Sequence, residues 1–417
     1  MVNSYKQLRW VVWGLATAFF FYEFFLRVAP SVMLNQLTTA FHIDAALVGT
    51  LSAGYLYVYA PMQVPVGILI DRYGARTLLT LGTVSCGVGS IIFGLAETYD
   101  IALLGRGLMG FGSSFAFVGM VYVGSHWFSH TMLPLLVGMG NSFGMMGALW
   151  GEDALGLIIT HYSWRAVSIY LGIVGILLGV MIVVLFFFVP NHIKPKHERA
   201  ETFSSVWRNL KVVCVSKETW LNAIISLMMY ATTTGFASLW GVNFVKVAYG
   251  LDIDEAAFLV SLVFLGWMMG GPLTGYVAER LFSRKYLLMI SSFLAGICIS
   301  LAIYVTTFSE IELSLIFILV GVFSSSQLLT FSYAVDINPN KAKGTAIALT
   351  NFLVMITGSA IQPFVGYLMD LHSGHISDNG TSTLVVEDYQ FAFYCFPLSF
   401  FLSFVLCFFL KPEEELT

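Results

Sequence analysis

Long uninterrupted apolar stretches limit what this chain can fold into. They cover residues 10–37, 46–70, 77–96, 100–127, 132–160 and 165–189. After a polar stretch from Pro190 to Lys217 they resume at 218–247, 254–278, 286–306, 312–336, 343–370 and 389–410. Each has about the 20 residues a helix needs to cross a bilayer. Backbone inside a bilayer must satisfy its own hydrogen bonds, which leaves helices or closed barrels. Barrel strands alternate in character at every second residue; these stretches do not. The chain is 58% hydrophobic and only 11% charged, where a soluble domain carries roughly 25% charge. We therefore expect an all-α membrane protein of about twelve transmembrane helices in two six-helix bundles. The bundles span residues 1–189 and 218–417, with a linker at 190–217 in which Phe203–Val213 suits a surface helix.

Lysine and arginine orient the spans. Of the 20 in the chain, two lie within spans, Arg27 and Arg106, and two at one set of ends, Arg165 and Lys246. The other sixteen, from Lys6 and Arg9 to Lys411, fall in the linker or at the opposite ends. Both termini are thus expected in the cytoplasm, and a bacterial inner (plasma) membrane is the expected location. Lys246 reads as a lysine snorkelling at the outer mouth. The first apolar stretch is too long for a signal core, is internally charged and lacks a small-x-small cleavage site. Asn379-Gly-Thr381 matches a glycosylation acceptor, a pattern too common to carry weight. Cys86, Cys214, Cys298, Cys395 and Cys407 are scattered without metal or paired spacing. A net charge of −4 without a basic block gives no reason to expect nucleic acid. No nucleophile–base arrangement, metal spacing or phosphate loop is present, so neither an enzyme nor a cofactor is expected. A monomer embedded in the lipid bilayer is the simplest assembly.

The halves repeat. Gly67-Ile-Leu-Ile-Asp71-Arg72 with Arg76 recurs as Gly275-Tyr-Val-Ala-Glu279-Arg280 with Arg284, 208 residues on. In the fifth and eleventh spans the offset is 210: Asn141 matches Asn351, Glu152 matches Gln362 and Gly156 matches Gly366. Parallel halves of this kind place a binding site between them near the midplane. The Gly67–Arg76 loop resembles the loop that marks the major facilitator superfamily, Gly-x-x-x-Asp-basic-x-Gly-basic-basic, with Ala75 at one basic position. Arg106-Gly-Leu-Met-Gly110-Phe-Gly112 resembles the family's fourth-helix pattern, and Ser163-Trp164-Arg165 the turn into its sixth. The resemblance spans essentially the whole chain and implies a secondary transporter working by alternating access. It also implies a cytoplasmic gate that holds the outward-open state, here Asp71, Arg72 and Arg76 with Glu279, Arg280 and Arg284. Asp71 suits the positive start of span eleven near Gly344, and Asp336 is the acid best placed for Arg72 and Arg76. At the matching position of the first half stands His126. The fifth span lacks the proline of the family's drug–proton exchangers, which argues against that class.

An ionised group at mid-bilayer costs roughly 3 kcal/mol or more, so Glu23, Arg27, Arg106, Glu152 and Asp153 must face protein or a wet cavity. Glu23 and Arg27, four apart, point the same way, either as a structural pair or as the lining of a solute path. Arginine suits bidentate carboxylate binding, which makes Arg27 the expected anion anchor. A desolvated carboxyl can carry a proton, the role expected of Glu23 and Glu152. Arg106 with Asp153 forms the expected charge clamp; an arginine there is often a buried helix clamp in the family. Tyr22, Tyr59, Trp240, Asn243, Gln327, Asn351 and Gln362 complete the expected substrate site. The solute expected is a small organic acid, amino acid or short peptide, coupled to protons. A bulkier amphipathic solute, such as a drug or siderophore, is the alternative. A non-transporting membrane sensor would need a soluble domain or tail, and only six residues follow Lys411. Substrate identity, direction and coupling ion are not legible at this level, because fold does not fix function.

Overall fold

The structure is a computed structural model and describes residues 2–129, 132–188, 210–280, 283–339, 342–373 and 384–411. All regular structure among these residues is helical. The first half contains α1 (Val2–Val28), α2 (Pro30–Phe41), α3 (Ala45–Leu95), α4 (Tyr99–Trp127), α5 (Leu133–Ile159) and α6 (Trp164–Phe188). The second contains α7 (Lys217–Thr232), a π-helical stretch (Thr233–Trp240), α8 (Gly241–Tyr249), α9 (Ile253–Arg280), α10 (Arg284–Tyr304) and α11 (Glu310–Ser324). A 3-10 turn (Ser325–Leu328), α12 (Leu329–Asp336), α13 (Lys343–His372), α14 (Val386–Ala392) and α15 (Cys395–Cys407) follow. Most of the linker and the Asn379 sequon lie outside the described residues; of the expected surface helix, residues 210–215 are described and are helical.

Ten described helical segments are long and apolar enough to cross a membrane, so this is a multi-pass membrane protein. The 27-residue α5 and the part of α3 ahead of Gly74 complete the expected twelve spans. Gly74 divides α3 into the second and third spans. Its φ of 78° and ψ of 158° are open to glycine and strained for other residues. The first span is α1 with α2, the seventh runs from α7 to α8, the tenth joins α11 to α12, and the twelfth joins α14 to α15. Within the first half α3 packs on α4 and α6, and α1 on α4 and α5; within the second, α9 packs on α11, α10 on α15 and α7 on α13. Close approach depends on missing side chains. A Cβ at Gly110 would lie 2.0 Å from the Tyr55 carbonyl oxygen, and one at Gly147 2.3 Å from that of Phe21.

The halves meet along α3–α13 and α5–α9, and both seams are tight at one end only. At the far face, opposite the basic loops, a Cβ at Gly49 would lie 2.5 Å from the Gln362 carbonyl oxygen. One at Gly366 would lie 2.3 Å from that of Ala45, and one at Gly156 2.7 Å from Ala257. At the basic face, Gly67, Gly138, Gly275 and Gly344 have no atom within 4 Å of such a Cβ. The molecule is therefore closed at the far face and splayed at the basic face.

In this state the gate expected to hold the outward-open form is parted. Asp336 pairs with Arg284 of its own bundle rather than with Arg72 or Arg76. With Gly344 in open space the loops of the two halves have parted, so the acid takes its local arginine. The equivalent position in the first half, His126, stacks on Tyr122 and bonds its carbonyl oxygen at 2.9 Å. The Arg72 and Arg280 guanidiniums lie over the neighbouring Tyr73 and Tyr276 rings, at 5.4 and 5.3 Å. The side chains of Asp71 and Glu279 are outside the described set.

Candidate functional site

One turn of α1 puts Glu23 and Arg27 on the same face. Arg27 Nη2 donates to both Glu23 carboxylate oxygens at 3.1 Å. The Tyr55 hydroxyl, from α3, donates to Glu23 Oε2. Glu23 is fully buried, whereas Arg27 keeps 7% of its surface. The Arg27 guanidinium carbon lies 4.4 Å from the Phe24 ring centroid, 5.0 Å from Tyr59 and 5.6 Å from Tyr55. Tyr59 and, from α7 of the other half, Tyr230 also place their hydroxyls within reach of Arg27. The pair thus sits where the bundles meet, not sealed inside one of them. Arg106 is bound differently: Nη1 donates to the Leu26 carbonyl at 2.9 Å and Nη2 to that of Ser52 at 3.0 Å. It ties the first, second and fourth spans together through backbone.

Toward the basic face a cleft of about 570 Å³ opens between α5 and α9, lined by Leu135, Met139, Asn141, Phe143, Trp267 and Met268 among others. Trp267 connects it to the charges. Its Nε1 donates to Thr233 Oγ1 at 2.9 Å, and its ring meets Tyr230 edge-on at 5.7 Å. On the other seam, Asn351 Nδ2 donates to Gln63 Oε1 at 3.2 Å, linking α13 to α3.

Toward the far face the path is shut. Asn243 Nδ2 donates to the Ser31 carbonyl at 3.0 Å, and Trp240 Nε1 to that of Gln362 at 3.0 Å. Gln362 Nε2 donates in turn to the Thr234 carbonyl at 2.9 Å. These contacts use a stretch where the seventh span widens into a π-helix, buried throughout. Such widenings recur at functional sites. Beneath this closure lies Glu152, fully buried, with no hydrogen-bond partner of good geometry for either carboxyl oxygen among the described residues. The nearest hydroxyl within reach is that of Ser31, which donates to the Val28 carbonyl at 2.8 Å.

Three expected site residues are placed elsewhere. Tyr22 points into its own bundle, where its hydroxyl donates to the Leu171 carbonyl at 2.8 Å. Gln327 is held within the second bundle by Ser226, at 2.6 Å. Asp153 is only partly buried and is not bonded to Arg106. Both terminal nitrogens of Arg106 are taken by carbonyls, and Asp153 stands about 100° round the helix from Glu152. Conversely, Tyr55 and Tyr230 belong to the cluster. Tyrosines recur at every second position of the second span, Tyr55, Tyr57 and Tyr59, but nothing local marks which of them meets Glu23.

The family profile described as Major Facilitator Superfamily matches residues 15–363. The chain is 23% identical over 375 residues to the "Probable galactarate/D-glucarate transporter GudP" of Bacillus subtilis, covering 82% of each. It is 23% identical to the "Probable sulfoacetate transporter SauU" of Cupriavidus necator, covering 67% of this chain but only 66% of that one. Among solved structures, a D-xylose–proton symporter superposes with a TM-score of 0.74 at 16% identity, covering 99% of both chains.

Proposed function

The chain belongs to the major facilitator superfamily, and from that membership we propose a proton-coupled carrier of small organic anions, with polyhydroxylated carboxylates the best fit. The observation that carries this is the occupation of Arg27 by Glu23. Among the described residues, Arg27 is the one buried guanidinium at the bundle seam not committed to backbone carbonyls. Its fork suits a carboxylate, and the carboxylate it now holds is the protein's own. Breaking a buried pair by removing one partner costs about 3–5 kcal/mol. Arg27 is therefore released only when something replaces Glu23. A proton on Glu23 neutralises it, and a solute carboxylate then completes Arg27. Each event makes the other easier, which is reciprocal coupling between proton and solute. The Tyr59 and Tyr230 hydroxyls flank the vacated position and suit a solute bearing hydroxyls. Glu152, fully buried beside the Ser31 hydroxyl, is a second place for a proton, next to the helix that closes the far face. The names of the sugar-acid and sulfoacetate relatives support the anionic class.

The basic face is taken as cytoplasmic, in a bacterial inner membrane, on the distribution of lysine and arginine. The carrier then rests here open to the cytoplasm, and a monomer suffices, since both halves of the site come from one chain. The test is uptake of radiolabelled D-glucarate into proteoliposomes. An inward proton gradient accelerates uptake by wild type, and Arg27→Ala abolishes it. Uptake indifferent to the gradient, or surviving in Arg27→Ala, overturns the proposal. The apolar, methionine-bearing cleft between α5 and α9 favours one competing reading, a bulkier amphipathic solute. That reading requires stabilisation of the fold by such compounds and none by D-glucarate.

A further inference from the structure

Directly outside the closed far gate lies a second cavity, of about 320 Å³, between the ends of α2 and α8. Its walls carry Asn35, Thr38, Thr39 and Lys246, and they include the gate residues Trp240 and Asn243 themselves. A closed gate does not need a polar, half-open chamber above it, and Lys246 makes the chamber unusual. Cations are disfavoured on the side of a membrane protein that faces away from the cytoplasm. Only two are found there, Arg165 and Lys246. Arg165 is committed, donating to the carbonyls of Gly94 and Ala96. Lys246 has no ion pair among the described residues. Asp44, the acid on the same wall, has its carboxylate on the Leu47 amide at 2.8 Å. Among the described residues, Lys246 is therefore the one uncommitted cation of the far face, and it stands at the mouth of the solute path, among amide and hydroxyl groups.

We propose that this chamber is a docking site for the transported anion: Lys246 takes a carboxylate while the gate is shut, and the side chains of Asn35, Thr38 and Thr39 take hydroxyls. The chemical class is again a polyhydroxylated carboxylate, so the proposal rests on the anion reading above. When the bundles rock, Trp240 and Asn243 withdraw and the docked solute lies on the route to Arg27. A docking site on one face raises capture from that face and, because a carrier cannot shift the equilibrium, speeds release to that face by the same factor. Its attraction is electrostatic and partly exposed, so salt weakens it.

The experiment measures D-glucarate transport by the full chain in right-side-out and inside-out vesicles, comparing wild type, Lys246→Met and Lys246→Arg. Lys246→Met raises KM for solute arriving at the far face about threefold to fivefold at low salt. It leaves KM from the basic face unchanged but lowers the maximal rate in that direction by the same factor, as detailed balance requires, loses its defect as salt rises, and is rescued by Lys246→Arg. An unchanged far-face KM, or a basic-face KM raised to the same extent, overturns the docking site while the carrier reading stands. Wild type that moves no D-glucarate in either direction overturns both.

Discussion

Asp370 offers a quantitative test of how the far face is held shut. It lies near the end of α13, in the second bundle, and its two carboxylate oxygens accept the Ala45 amide at 3.1 Å and the Ala46 amide at 2.7 Å. Those amides begin α3, in the first bundle. The first amides of a helix have no partner within the helix, and they carry the positive end of its dipole. Asp44, at the N-cap, serves Leu47, so the amides of Ala45 and Ala46 depend on the other bundle. Opening the far face breaks both bonds and leaves the amides to water. Losing a capping side chain costs about 0.5–2 kcal/mol, and losing the charge opposite a helix start about 0.3–1 kcal/mol. Asp370→Asn keeps the shape but removes the charge and one acceptor. It should lower the ratio of far-face-closed to far-face-open molecules by about 1–2 kcal/mol, roughly 5- to 30-fold. Distance distributions between labels at Tyr162 and Ile311, both exposed beyond the far ends of their bundles, read that ratio. An Asp370→Asn distribution identical to wild type would refute the latch. The sequence places Asp71 to do the same at the other end of the same helix pair, against the start of α13, so the two carboxylates are expected to alternate.

Other substitutions separate charge from packing. Arg27→Lys should transport with weakened affinity, because an ammonium keeps the charge but loses the fork; equal affinity would count against bidentate binding. Arg106→Lys should lower the melting temperature without changing solute preference, since its oxygen partners are the Leu26 and Ser52 carbonyls; an altered preference in competition assays would move it into the site. Gly110→Ala drives a methyl into the Tyr55 carbonyl, an overpacking worth about 1–3 kcal/mol. It should impair both thermal stability and proton coupling, because Tyr55 holds Glu23; normal coupling would contradict that link.

The spans, the repeat and the break at Gly74 were legible because each is local: hydrophobic length, offset and one glycine. The buried pair of Glu23 and Arg27 was equally legible, since four residues on a helix fix a common face. What escaped was azimuth. Tyr22 and Gln327 are polar residues in spans of the right depth, but a rotation of the helix turns each into its own bundle, and composition carries no such angle. The Arg72 and Arg76 assignment concerns the other state, in which the basic face is closed. With that face open Asp336 takes Arg284 of its own bundle, and nothing in the sequence marks which state is seen. The π-helical widening at Thr233–Trp240 and the Asp370 latch are tertiary facts with no local mark.

The central claim is that a proton on Glu23 frees Arg27 for the solute. It is tested most directly by D-glucarate affinity against pH, measured calorimetrically on purified wild type and Glu23→Gln. Binding to wild type should tighten as pH falls, with proton uptake on binding. Glu23→Gln should bind without pH dependence and without moving protons. Binding lost in Glu23→Gln, or still tightening with acid to the wild-type extent, would contradict it.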